Sequence, residues 1–199
     1  MKPLIVSAAA LFASATLGWG VSAADLAAQL DAVASAVNAE DLEAIGCPDD
    51  PAEIIADLDG QWFMLGNAVR NWGTEGVGFG PEDLERSQTR NCSDGADSTF
   101  YRVIGDTEFT VREVLPSYDT ELTQTLIHIE GRRFSVSVDI DELMRSYGQE
   151  DASETVRAEM EEMVALLEEQ GIEFWRPSAD ILIAAGPFGI DVSGRCPAS

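Results

Sequence analysis

Hydrophobic and polar positions alternate most regularly between Ser98 and Asp139. Four runs rich in β-branched and aromatic residues stand there: STFYRVI, TEFTVREVL, ELTQTLIHIEG and RRFSVSVD. A period of two over such runs predicts half-buried antiparallel strands. The last run is the cleanest, with Phe134, Val136 and Val138 alternating with Ser135, Ser137 and Asp139. Gly105-Asp106 and Glu130-Gly131 read as two-residue hairpin loops, and Pro116-Ser117 as the turn between the hairpins.

These loops imply a register. With Gly105-Asp106 as a loop, Phe100, Arg102, Ile104, Phe109 and Val111 share the core face. With Glu130-Gly131 as a loop, Thr123, Thr125, Ile127 and Ile129 join that face, while Leu126 and His128 point away. A four-residue turn from Pro116 to Asp119 would instead put Leu126 beside Phe109, which conflicts with the second hairpin. A five-residue loop ending at Thr120, or one bulge, restores agreement and is the reading adopted.

Helical periodicity flanks the strands. Leu26, Leu30, Val33 and Val37 lie on one face of a helix over 25–45, which Gly46 and Pro48 stop. Asp50-Pro51-Ala52-Glu53 predicts a second, short helix, with Asp50 as N-cap and Pro51 in the first position. Gln61 to Val69 reads as a strand buried on both faces. Trp72 to Gly80 reads as a flexible loop, followed by a short helix from Pro81; 87–92 is extended and 93–97 a turn. Asp139 caps a helix carrying Ile140, Leu143, Met144 and Tyr147. Asp151 and Glu154 start the strongest helix, whose stripe is Val156, Met160, Met163, Val164 and Leu167. Ile181 to Ala185 and Phe188 to Val192 form a last strand pair around Gly186-Pro187.

The expected fold class is α+β, mainly antiparallel β. It is a curved antiparallel meander or small barrel, covered by N-terminal helices and one long helix near 152–170. A single globular domain over 24–199 holds a helical segment (24–58), strands (60–139), helices (140–170) and the final strand pair (180–193).

Residues 1–23 have the form of a secretory signal peptide: Lys2, an apolar stretch from Leu4 to Leu17, and Val21-Ser22-Ala23 as the cleavage site. The apolar stretch falls short of the roughly 20 residues of a membrane span. The expectation is a periplasmic or secreted, soluble protein. The sequence holds 12 Lys plus Arg against 36 Asp plus Glu, a net charge of −24. Lys2 is the only lysine, so cleavage leaves 11 arginines against 36 acids, a net of −25. Nucleic acid and anionic lipid are poor partners for such a chain. With acids spread along its whole length, a solvated surface explains the charge better than a cation site does.

Three cysteines, Cys47, Cys92 and Cys196, leave one thiol over after any single disulfide. Cys92 and Cys196 sit in similar local sequence, each after an Arg-containing tripeptide, and a staple at Cys196 would tie down a chain end. The pairing expected is Cys92–Cys196, with Cys47–Cys196 as the alternative.

Gly60-Gln61-Trp62, entering the first strand after an N-terminal helix, resembles the Gly-x-Trp signature of lipocalins. The resemblance implies an eight-stranded barrel with Trp62 plugging one end, Arg195 near the last strand stacked on it, and a pocket for an apolar ligand. This chain departs from the pattern in placing its long helix before the last strand pair.

Candidate chemistry is sparse. His128, the only histidine, falls on the face away from the core, opposite Arg133. One histidine and three dispersed cysteines do not compose a zinc site. The glycines of WGTEGVGFG match no phosphate-binding pattern and are followed by acids. Asp49 and Asp50 beside Cys47 oppose a reactive thiolate. No catalytic residue, metal ligand or cofactor is expected, and an enzyme is the least favoured class. The best reading is a small-molecule binding module for an apolar or amphiphilic ligand. The alternative is an envelope protein–protein interaction or inhibitor protein. Arg102, Phe100, Phe109 and Trp62 are the expected pocket residues. A guanidinium among apolar neighbours needs a partner, which Glu113 would supply from the same face or an anionic ligand head group would, unless Arg102 sits near the sheet edge and snorkels out to water.

Overall fold

The computed structural model describes residues 21–39, 41–64, 81–93, 98–115 and 120–197. Most of the expected leader, the 72–80 loop, the end of the expected strand beyond Met64, and 116–119 lie outside them. Eight strands form a closed antiparallel barrel in chain order. They are β1 (Gly60–Met64), β2 (Ser98–Gly105), β3 (Glu108–Leu115), β4 (Thr120–Glu130), β5 (Arg133–Val138), β6 (Ile172–Ser178), β7 (Ile181–Gly186) and β8 (Gly189–Arg195). Closure is made by β8 on β1, with Trp62 opposite Arg195. The likeness to a lipocalin barrel therefore holds at the level of strand number and connection.

The described α-helices are α1 (Ala23–Asn38), α2 (Pro51–Ile55), α3 (Pro81–Asn91), α4 (Ile140–Ser146) and α5 (Glu154–Gln170), with a 3₁₀ turn at Leu42–Ile45. Caps follow local sequence: Asp50 accepts from the Ala52 N–H, and Asp139 from the N–H groups of Asp141 and Glu142. Helix α5 starts two residues later than expected, capped by Ser153 rather than Asp151. The segment 87–91, expected to be extended, completes α3.

Two apolar layers lie on opposite sides of the barrel wall. Outside, the stripe Leu26, Leu30, Val33 and Val37 of α1 packs with Phe63, Trp175, Ile181, Ile183 and Val192. Burying each α1 side chain contributes roughly 1.5–3 kcal/mol. Inside lie Trp62, Phe109, Val111, Leu126, Phe134, Val136, Phe174 and Leu182, with Tyr101 and Val103 against them. Helices α4 and α5 meet β4 and β5 around Leu122, Leu143 and Val164. At the α5–β6 junction Gly171 has φ +72°, and a Cβ there would stand 2.6 Å from the Phe134 carbonyl oxygen. Only glycine fits so close a crossing.

The strands are where expected, but two of the faces are inverted. Gly105 pairs with Glu108, so the first loop is Asp106-Thr107, and a bulge at Ile104 puts Val103 opposite Phe109. Glu130 pairs with Arg133, the loop is Gly131-Arg132, and a second bulge at Ile129 puts His128 opposite Phe134. Leu115 pairs with Thr120, so four residues separate β3 from β4 and Leu126 lies opposite Phe109. The conflict between the hairpins is thus resolved by bulges, not by a five-residue loop. Tyr101, Val103 and Leu126 face inward, whereas Phe100, Arg102, Ile104, Ile127 and Ile129 face outward. Ile104 and Ile129, the extra residues of the bulges, are exposed. Strand β6 had no counterpart among the expected elements. Its Arg176-Pro177 step breaks the alternation, and Pro177 sits at a register shift where no ladder bond is needed.

Candidate functional site

The chain closes one end of the barrel with its own N-terminal segment. After α2, Asp57 takes φ +54° and Gly60 takes φ +124°, turning the chain under the barrel and into β1. Trp62 then points inward, fully buried, its indole N–H donating to the Leu58 carbonyl at 3.0 Å. The Arg195 guanidinium lies 4.6 Å from the Trp62 ring centre, as the lipocalin likeness implies, and Arg176 lies 5.3 Å from it. Both cations are spent on backbone oxygens. Arg176 donates to the carbonyls of Ile54, Ala56, Asp57, Ser178 and Ala179. Arg195 donates to those of Asp57, Asp59 and Ala179. Burial, then the neighbouring Arg195 charge, pushes the Arg176 guanidinium down to about 10. Burial lowers Arg195 as well. This end is a structural plug.

Above the plug is a filled aromatic layer. Phe109, Phe134 and Phe174 meet edge to face with ring centres 5.3–5.6 Å apart. Each is buried, as are Leu126, Val136 and Leu182 around them. A long apolar tail has no space there.

The half of the barrel away from the plug is different in chemistry. Strand alternation from Phe109 and Val111 carries Glu113 inward, and Thr99 lies opposite it on β2. The Gln124 amide donates to the Glu113 carboxylate at 3.4 Å. On β8, Asp191 pairs with Ala184, which pairs with the inward Phe174, so Asp191 shares the inner parity, but near the strand's start, where it is exposed to solvent. Tyr101 stands between the layers, 5.8 Å from Trp62 and 6.0 Å from Phe109 by ring centres. Burial raises its phenol, and the charges of Glu113 and Asp191 raise it further. Burial also lifts the Glu113 carboxyl above its ordinary value, with the Asp191 charge adding to the effect. A cavity of about 200 Å³ opens beside Glu113, lined among the described residues by Trp62, Phe63, Met64, Asn91, Ser98, Thr99 and Glu113.

Of the expected pocket residues, the structure brings together Trp62 and Phe109, both inside. Phe100 and Arg102 are on the outer face: Phe100 stacks under Arg112 at 5.0 Å, and Arg102 is exposed. The ion pair expected between Arg102 and Glu113 is therefore absent, because the bulge at Ile104 separates their faces. Glu113 itself is on the inner face, as expected. Tyr101 and Asp191 were not singled out from sequence. Tyr101 alternates correctly with Val103 and would have been found with the right register.

His128 lies on the inner parity beside Phe134, contrary to the expected outward placement, with its Nε2 3.1 Å from the Gly131 carbonyl. Cys92 and Cys196 form the disulfide and Cys47 is free. Burial pushes the Cys47 thiol up, which opposes nucleophilic use. A shallow groove of about 430 Å³ runs between the β4–β5 turn, β6 and the 43–49 segment. Arg132 fills its base, donating to the carbonyls of Cys47 and Pro48 and to Glu43, with Trp175 stacked at 5.7 Å. Among the described residues no cluster of three potential metal ligands occurs, and no helix is long and apolar enough to cross a membrane.

No protein-family model, curated protein or solved structure matches the chain. The functional reading rests on the barrel's own residues.

Glu113 should leave a signature in stability. Its folded-state pKa is raised above the unfolded value, so the folded state holds the proton more tightly. Below the ordinary value of 4.5 both states are protonated and nothing is lost; as pH rises from there through the raised value, stability falls. Glu113→Gln is expected to remove that fall. Urea midpoints at pH 4 and pH 8 check it: the variant should gain on the parent at the higher pH and match it at the lower.

Proposed function

We propose that this protein is a small-molecule binding barrel whose site is the cavity beside Trp62, between the ends of β1 and β2, Asn91 and Glu113. The observation that carries this reading is the 200 Å³ cavity that Trp62, Thr99 and Glu113 line from the inner face and Phe63 and Asn91 from the outer layer. Its volume equals that of roughly six or seven waters at about 30 Å³ each. Drug-sized ligands take about 300–1,000 Å³. The ligand is therefore small. The filled Phe109–Phe134–Phe174 layer speaks against a long acyl chain, and the outward Arg102 removes the basis for an anionic head group.

An envelope protein–protein role would be favoured by an exposed aromatic patch near Trp175. Trp175 is 4% exposed, beneath α1 and the 43–49 segment, and so does not supply such a patch.

The disulfide fits an oxidising compartment, in keeping with an exported protein. The test is native mass spectrometry of protein purified without denaturation, paired with Thr99→Trp, which fills the cavity. A small molecule retained by the parent and lost from the variant is the expected result. A variant that retains the same molecule would overturn the location.

A further inference from the structure

Two buried N–H groups have no hydrogen-bond partner: the indole Nε1 of Trp175 and the Nε of Arg133. Buried donors are normally satisfied, so each calls for an acceptor that the chain does not itself supply. Trp175 is among the most buried residues of the wall, at 4% exposure. Both residues line the groove of about 430 Å³ between the β4–β5 turn, β6 and the 43–49 segment. The other arginine of that groove is committed: Arg132 is bonded to the carbonyls of Cys47 and Pro48 and to Glu43.

The groove does not end at Arg133. Arg133 and Glu173 are register partners where β5 meets β6. Both also line a second groove, of about 560 Å³, that continues past Glu169 and Gly171 to Pro187. The two grooves meet at these residues and make one open trough across the β5–β6 seam. Its charge is unbalanced. Arg133 pairs with Glu130, not with Glu173 opposite it. Glu173, Asp49 and Glu169 are exposed and have no ion-pair partner among the described residues.

We propose that this trough is a docking site for an extended, arginine- or lysine-rich segment of a partner protein. The segment's backbone carbonyls accept from Trp175 and Arg133, and its cationic side chains meet Asp49, Glu173 and Glu169. A peptide carries both complements at once, an acceptor at every residue and cations on its side chains. An anion would satisfy the two donors but would meet three unpaired carboxylates. A bare metal ion accepts no hydrogen bond, and the described residues present no group of three potential metal ligands. Both nitrogens are shielded from water as the trough stands. Arg133 is the movable wall: its side chain is 34% exposed and is tied only to the exposed Glu130 among the described residues, so it can swing aside and admit a carbonyl. The balance of 36 acids against 12 bases steers a basic partner towards the barrel. The trough shares no lining residue with the cavity beside Trp62, so this partner is additional to the small molecule and does not depend on it.

The probe is an acetylated, amidated octapeptide of alternating arginine and serine. It is compared with the same peptide carrying neutral citrulline for arginine, by isothermal calorimetry in about 0.15 M salt, where diffuse attraction is screened. The proposal expects the arginine peptide to bind the parent at least about tenfold more tightly than the citrulline peptide. Glu173→Gln and Asp49→Asn should each weaken it about three- to tenfold. Glu159→Gln, the same charge change at an exposed site on α5 away from the trough, should change it less than about twofold. Trp175→Phe keeps the apolar bulk, removes the donor and should lose about threefold or more. In the parent, the assigned Trp175 indole N–H resonance should move downfield as the peptide is added, a readout that does not depend on any variant folding. Equal losses at Glu159 and Glu173 would overturn the proposal in favour of a diffuse acidic surface. An unmoved Trp175 resonance in the peptide-saturated parent would overturn the carbonyl contact on which the site rests. Free arginine binding as tightly as the octapeptide would replace the segment with a single amino acid. No binding of the arginine peptide at about 1 mM would overturn the docking site itself.

Discussion

Arg176→Met is expected to destabilise the protein by about 3–5 kcal/mol. The residue is 8% exposed, and its guanidinium donates to five backbone carbonyls, three of them in the 54–57 segment that closes the barrel. Methionine fills similar space but donates nothing, so those oxygens stay buried without a partner. The Trp62 ring also loses one of its two stacked cations. Hydrogen bonds to a charged group contribute about 1.5–3 kcal/mol each in isolation, and the total is capped because the freed segment can move and take water. Arg195→Met is expected to cost less, about 1–2 kcal/mol, because Arg195 is closer to solvent and its carbonyl partners can be hydrated. Urea unfolding followed by tryptophan fluorescence measures both. A loss at Arg176 no larger than that at Arg195 would mean that the plug does not depend on Arg176.

Removing the Cys92–Cys196 disulfide, by Cys92→Ala with Cys196→Ala, is expected to cost about 4 kcal/mol. The bridge spans 104 residues, and closing a loop of about 100 residues in the unfolded chain is worth up to about 4.7 kcal/mol by the chain-entropy argument. It joins the C-terminal end of α3 to the residue after β8, and Cys196 is itself buried against the α1 layer. Its loss therefore frees α3 and the strand that closes the barrel at the same point. Cys47→Ala is the control. Its half-buried thiol bridges nothing, and the change should cost less than about 1 kcal/mol. Thermal unfolding with and without reductant compares them: reductant should lower the parent to the level of the double variant and leave that variant unmoved. A parent indifferent to reduction would contradict the entropic account.

Much of the candidate site could be read before the structure was known, but not which side of the wall it occupied. Trp62 and Arg195 came from one short likeness, and their stacking holds. Glu113 followed from counting alternate residues after Phe109, within one unbroken strand. Phe100 and Arg102 came from counting across the β2–β3 hairpin, and there the count failed by one. Ile104 is the residue that was not allowed for. A bulge absorbs one residue and sends every side chain beyond it to the other face. The same event at Ile129 reversed Leu126 and His128.

Local windows of the sequence were enough for the helix caps at Asp50 and Asp139, the α1 stripe, the positions of β2 to β5 and the Cys92–Cys196 pairing. Each depends on residues close in the chain, on a repeat that local geometry imposes, or, for the cysteines, on the value of tying a loose end. Closure of the barrel, the bulges, the existence of β6 and the double stacking of Trp62 between Arg176 and Arg195 were decided only in three dimensions. Burial is shared by the whole barrel, and the chain accepts an extra residue in a strand, or a proline such as Pro177, wherever doing so lets the aromatic layer fill.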